Sequence, residues 1–90
     1  MKLTNKISIP SQVMARTVGD ETVILDLANG TYYGLDPVGA RMWQLMSEGN
    51  SLSAVCETML DEYDVTREAL ADDILRLTDE LLTKGLLVVT

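Results

Sequence analysis

The sequence predicts an α+β fold: a three-stranded antiparallel β-meander, then a three-helix unit in winged helix-turn-helix order. Three observations carry this. Two strand-like segments, Thr22–Leu27 and Thr31–Leu35, flank Ala28-Asn29-Gly30, and Asn-Gly is a strong hairpin signal. Asp36-Pro37 then reads as helix cap and first helical residue, because proline's missing N–H falls among donors a helix start leaves unpaired. Beyond it, apolar residues recur at helical spacing in three segments, each with its own stop or start signal. The 90 residues make one domain, with strands over about 6–35, helices over about 37–84 and a short terminal strand over 86–89.

Each element has a local reason. Lys6–Ile9 reads as a short first strand stopped by Pro10, with the C-terminal run as a candidate partner. Val13–Val18 is the next strand, and Gly19-Asp20 marks the turn after it. On Thr22–Leu27, Val23, Leu25 and Leu27 share a face. On Thr31–Leu35, Thr31, Tyr33 and Leu35 share one face, and Tyr32 and Gly34 the other. Glycine is unusual inside a strand, so Gly34 suggests a bulge or a close approach by another backbone or helix. Helix one runs from Pro37 to about Ser47 with Met42, Trp43, Leu45 and Met46 on its apolar side, and Gly49-Asn50 ends it. Helix two starts at Ser51 or Ser53 and runs to about Glu62. Thr66 caps helix three, with Ala69 where a capping box would place Glu; Lys84 sits in the last turn and Gly85 follows. Leu86–Val89 is the last strand.

Helix three is too apolar for one contact surface. Leu70, Ile74, Leu77 and Leu81 form one stripe; Ala71, Leu75, Thr78 and Leu82 form a second beside it. A helix on a single layer needs about 100° of apolar arc, and this arc is wider. Either the helix is sandwiched between sheet and helices, or part of it faces a groove that a partner fills. Asp72, Asp73, Asp79 and Glu80 rim the stripes and suit a basic side chain.

Composition narrows the function. The formal charge is −7, and ten of the fourteen carboxylates fall between Glu48 and Glu80. Over Thr66–Lys84 three basic residues, Arg67, Arg76 and Lys84, face five acidic ones. Placed in a DNA groove, such a helix would repel phosphates, so the winged-helix order argues for shape rather than nucleic-acid binding. No apolar run approaches the ~20 residues of a membrane span, and the N-terminus lacks the apolar core of a signal peptide, so a cytoplasmic protein is expected. There is no histidine, and Cys56 lies in a helical apolar series with Leu52, Val55, Met59, Leu60 and Tyr63, as a buried small hydrophobe would. Asp72-Asp73 and Asp79-Glu80 are adjacent on a helix and diverge by about 100°. Metal-ligand spacing and a phosphate-binding loop are both missing. No catalytic role, metal or cofactor is expected.

A meander leaves Thr31–Leu35 at an edge, with backbone groups free to pair. That favours a peptide-binding module: an extended segment adds to the edge, and its alternate side chains enter a groove against helix three. Four or five hydrogen bonds at ~1 kcal/mol each and two apolar anchors at ~1.5–3 kcal/mol each sum to a gross ~7–11 kcal/mol. Ordering the peptide takes several kcal/mol back, which leaves a micromolar or somewhat tighter complex. The competing occupants are a second copy, as a weak edge-paired homodimer, or the chain's own termini.

The run Asp26-Leu27…Gly30…Tyr33-Gly34-Leu35-Asp36…Gly39-Ala40…Met42-Trp43-Gln44-Leu45-Met46 resembles the PqqD-like proteins, also described as RiPP recognition elements. The resemblance continues through Glu48-Gly49, Val55, Leu60, Tyr63-Asp64-Val65, Asp73-Ile74, Leu77, Leu81 and Lys84-Gly85-Leu86-Leu87, and so covers about Val13 to Val89. It implies a small domain that binds the leader segment of a ribosomally made precursor peptide and presents it to a modifying enzyme or leader protease. In that family the leader adds antiparallel to the third strand and packs on the third helix. Carried over, pairing would come from Thr31, Tyr32, Tyr33, Gly34 and Leu35, and the groove from Leu70, Asp73, Ile74, Arg76, Leu77 and Thr78. The family often has an apolar residue where Thr78 stands. Tyr32 and Tyr33 fit peptide contact and ordinary strand packing equally. The family includes a pyrroloquinoline quinone branch and stand-alone domains of lasso-peptide assembly; Val18–Val23 and Gly39–Trp43 look more like the latter. A lasso-type leader would then offer an aromatic residue, a proline and a leucine as anchors.

Overall fold

The computed structural model describes residues 2–19 and 21–90. Its elements are β1 (Ile7–Ser8), β2 (Val13–Val18), β3 (Glu21–Asp26), β4 (Tyr32–Leu35), α1 (Pro37–Ser47), α2 (Leu52–Glu62), α3 (Arg67–Thr83) and β5 (Val88–Val89). The order β2-β3-β4 makes the three-stranded antiparallel meander, and β1 pairs with β5 in a separate two-stranded ribbon. The C-terminal run, one candidate partner for Lys6–Ile9, is the partner found, over two residues of each strand. Leu86 and Leu87 do not pair; they are buried at 0% and 1% exposure and close the core. Of the turn signal Gly19-Asp20, Asp20 lies outside the described residues.

The hairpin loop is longer than its sequence suggests. β3 ends at Asp26 and β4 starts at Tyr32, and a side chain organises the turn between them. Asp26 Oδ1 accepts from the Ala28 and Asn29 N–H groups at 2.9 and 3.1 Å, and Oδ2 accepts from the Asn29 side-chain amide at 3.1 Å. Asp26 is buried, and these bonds satisfy its carboxylate. Gly30 alone in the loop has a positive φ, +72°; Asn29 does not.

The helices begin where their caps place them. Asp36, Ser51 and Thr66 accept from the N–H groups of Gly39, Ala54 and Ala69 at 2.7, 3.1 and 3.2 Å. Lys84 is the residue capping α3 rather than part of its last turn. Met42, Trp43, Leu45 and Met46 of α1 are all buried, as are Leu52, Val55, Cys56 and Met59 of α2. Arg41 of α1 pairs with Glu62 of α2, and Arg67 of α3 with Glu57 of α2, so each helix contact has one surface ion pair. Each arginine holds its glutamate below the usual carboxylate range.

The sheet turns Ile24, Thr22 and Asp26 of β3 inward, not Val23 and Leu25, which share the other face. Burial follows from the register: Ile24 opposes Ala15 and Tyr33, and α1 packs against this side. Most of the wide apolar arc of α3 is taken up by the core, and Leu77 with Asp73 and Arg76 borders an open groove. Leu70, Ile74 and Leu81 are at most 3% exposed, and Ala71, Leu75 and Leu82 are half-buried against the same core. Thr78 is fully buried, and its hydroxyl donates to the Ile74 carbonyl at 2.7 Å.

Candidate functional site

The site starts from the edge of β4. Opposed residues of an antiparallel ladder alternate between pairs that exchange hydrogen bonds and pairs that do not. The Asp26 N–H donates to the Thr31 carbonyl at 2.8 Å, so that pair is a bonded one. Steps of two residues along the register make Ile24–Tyr33 and Thr22–Leu35 bonded as well. The backbone groups of Tyr33 and Leu35 are therefore directed at β3. Those of Tyr32 and Gly34 point away from the sheet, where β4 has no neighbouring strand among the described residues. Of the five residues expected to pair, two thus offer their N–H and C=O groups. Thr31 precedes the strand, and its carbonyl is already spent on Asp26.

Beside this edge lies a groove of about 280 Å³ between β4, the start of α1 and α3. Leu35, Met42 and Leu77 form its apolar walls, with exposures of 4%, 2% and 8%. Val38, 38% exposed, stands at its mouth. Asp36, Asp73 and Arg76 add charge at the rim, where one guanidinium nitrogen of Arg76 lies 3.3 Å from Asp73 and the other 3.9 Å from Glu80. Tyr33 spans the gap between sheet and helix: its hydroxyl donates to Glu80, and the Lys84 ammonium lies 5.8 Å from its ring centroid. The bond to Glu80, followed by burial, raises the Tyr33 phenol above its usual value of 10.0.

Tyr33, Gly34, Leu35, Asp73, Arg76 and Leu77 of the expected site come together here. Leu70, Ile74 and Thr78 do not line the groove; they face the core beneath it, because α3 is covered on both apolar stripes. As site residues, sequence reasoning missed Asp36, Val38, Gly39 and Met42. The close approach suggested for Gly34 is instead at Gly39: a Cβ there would stand 3.2 Å from Asp36 Oδ1 and 3.3 Å from Leu35 Cδ2. Gly34 sits in regular register opposite Val23 without a bulge, and a Cβ on it would meet nothing within 4 Å. The Asp36 cap was the signal available for Gly39, since a residue three past a capping Asp is held against it.

A larger hollow of about 640 Å³ lies across α1, between Ala15, Thr17 and Thr22 of the sheet and Arg41, Trp43 and Tyr63. Its neighbouring edge, β2, is a poorer template for strand addition. Val13 donates its N–H to Pro10 O at 3.0 Å, which blunts the start of that edge. Among the described residues no group of three or more carboxylates and thiols is placed to hold a metal, and no helix is long and apolar enough to cross a membrane.

Residues 21–87 match the family described as coenzyme PQQ synthesis protein D (PqqD). The chain is 37% identical to the solved structure of TbiB1 in complex with the TbiA(beta) leader peptide, with a TM-score of 0.82 over 88% of this chain and 92% of that one. A second solved structure, lasso peptide synthetase B1 complexed with the leader peptide, is 24% identical, with a TM-score of 0.83 over 92% of this chain and 98% of that one; it bears on the fold. No curated protein matches the chain in sequence.

Proposed function

The chain belongs to the PqqD family, and from that premise we propose that it recognises the leader segment of a ribosomally synthesised precursor peptide and delivers it to a modifying enzyme or leader protease. The leader adds as an antiparallel strand to β4 through the N–H and C=O groups of Tyr32 and Gly34. Its alternate side chains enter the groove walled by Leu35, Met42 and Leu77. The observation that carries this reading is the 37% identity, across 88% of the chain, to a protein solved with a leader peptide bound. The open edge beside an apolar groove supplies the physical means.

The role is recognition rather than chemistry. The chain has no histidine, and burial pushes the Cys56 thiol up, away from reactivity. The pathway favoured is the lasso type rather than pyrroloquinoline quinone synthesis, on the likeness of Val18–Val23 and Gly39–Trp43 to the stand-alone domains of lasso-peptide assembly. The test is a fluorescence titration with the leader of the precursor peptide encoded beside this chain, against a scrambled peptide of the same composition. Micromolar or tighter binding of the leader alone is expected; equal binding of both peptides sinks the reading.

A further inference from the structure

We infer that the Tyr33–Glu80 bridge closes the peptide groove at one end and so fixes the register of the bound leader. One large apolar side chain is admitted, opposite Leu35, and the inward side chain two positions further along the leader must be small. The inference rests on the leader-binding reading and deepens it, because it names a pattern that the leader must carry.

The pattern follows from the ladder. Tyr33 and Leu35 share the inner face of β4, and Tyr32 and Gly34 the outer one. Residues directly opposite each other across a ladder put their side chains on the same face. The leader residues opposite Leu35 and Tyr33 therefore point inward, towards α3. In an antiparallel strand the residue opposite Tyr33 comes two positions after the one opposite Leu35, about 6.8 Å further on. At the first of these positions the groove is open, between the apolar walls Leu35, Met42 and Leu77. At the second it is shut. There the Tyr33 hydroxyl donates to the Glu80 carboxylate, across the gap between sheet and helix.

Two further features make the bridge a partition. First, it is held from both ends. A hydrogen bond to an ionised carboxylate is among the stronger kinds. Glu80 also lies 3.9 Å from the Arg76 guanidinium, one turn earlier on α3, and the Lys84 ammonium stands 5.8 Å from the Tyr33 ring centroid. Second, there is space on its far side. A separate hollow of about 280 Å³ is lined by Asp79, Glu80, Thr83 and Lys84. Tyr33 lines the peptide groove and Glu80 this second hollow, and no described residue lines both. Breaking the bond between Tyr33 and Glu80 joins the two spaces, and a bulky side chain opposite Tyr33 is then accommodated. A tie that merely stabilised the domain would leave the choice of leader residue untouched.

The test is a tryptophan scan of the leader encoded beside this chain, titrated by calorimetry against the wild type, Tyr33→Phe, Glu80→Ala and Glu80→Gln. Nuclear Overhauser contacts to the Leu77 methyl groups identify the leader residue seated in the groove. Each affinity is compared with the same protein's affinity for the unmodified leader, and thermal melting checks that the variants fold. Tryptophan two positions C-terminal to the seated residue is expected to cost the wild type at least about tenfold, as overpacking does. Glu80→Gln should keep that penalty, since its amide oxygen still accepts from the phenol. In Tyr33→Phe and Glu80→Ala, which lose the donor or the acceptor, the penalty should fall to about threefold or less. No penalty in the wild type, or the same penalty in all four proteins, overturns the inference and leaves the leader reading standing. No binding of the unmodified leader by the wild type overturns both.

Discussion

Gly34→Pro separates backbone pairing from every other way of holding a peptide. The N–H of Gly34 is directed at the open edge, so a proline there takes no hydrogen bond from the β3–β4 ladder, which uses Tyr33 and Leu35. Proline is tolerated at such edge positions, and the lost freedom of the unfolded chain offsets part of any strain. Stability should change by no more than about 1 kcal/mol, a melting shift of at most about 4–8 °C for a domain of this size. Binding should respond far more. Gly34 would exchange two hydrogen bonds with one residue of the added strand, and the ring both removes the donor and stands where that residue approaches. Two bonds at ~1 kcal/mol each come to about 2 kcal/mol, roughly a 30-fold loss of affinity. Gly34→Ala is the control: its Cβ meets nothing within 4 Å and the N–H remains, so affinity should hold. The assay is calorimetric titration with the leader peptide. Unchanged affinity in Gly34→Pro refutes strand addition at β4; an equal loss in Gly34→Ala shows that side-chain space, not backbone pairing, is what matters.

The other expectations are as follows. Ile74→Ala should destabilise the domain by about 2–5 kcal/mol, because Ile74 is fully buried; leader affinity of the folded fraction, measured well below the melting point, should stay within a few-fold. Asp73→Lys should lower stability by less than about 1 kcal/mol, since its pair with Arg76 is exposed, yet weaken a leader that presents a basic group at the rim; intact affinity with a large drop in melting temperature would make Asp73 a structural residue. Tyr33 should ionise above 10.0, because the bond to Glu80 favours the protonated phenol. Its contribution to stability is then whole below pH 10 and fades as pH rises through the folded value; an absorbance titration should show a late-ionising tyrosine that Tyr33→Phe abolishes.

What was legible in the sequence was what local chemistry decides. Asp36 and Thr66 could be read as caps, and Ser51 as one of two candidates with Ser53, because a capping side chain bonds N–H groups within its own first turn. The meander and its free edge followed from turn residues and alternation. Facing was harder. On β3 the more apolar alternation, Val23 and Leu25, is the outer one, and the core takes Ile24 with the polar Thr22 and Asp26. Asp26 can be buried because it bonds its own turn, a pattern that composition does not reveal. Helix α3 posed the same difficulty. Leu70, Ile74, Leu77 and Thr78 look alike as helical positions, yet only Leu77 borders the groove while the others are buried beneath it. The link from Tyr33 to Glu80 spans 47 residues, too far for any local pattern to show.

The central claim is that the leader pairs with the outward groups of Tyr32 and Gly34. Amide hydrogen exchange with and without the leader peptide tests it residue by residue. The Tyr32 and Gly34 amides should exchange freely in the unliganded protein and become protected on binding, while Tyr33 and Leu35 are protected in both states. Binding that leaves Tyr32 and Gly34 as exchangeable as before would contradict it.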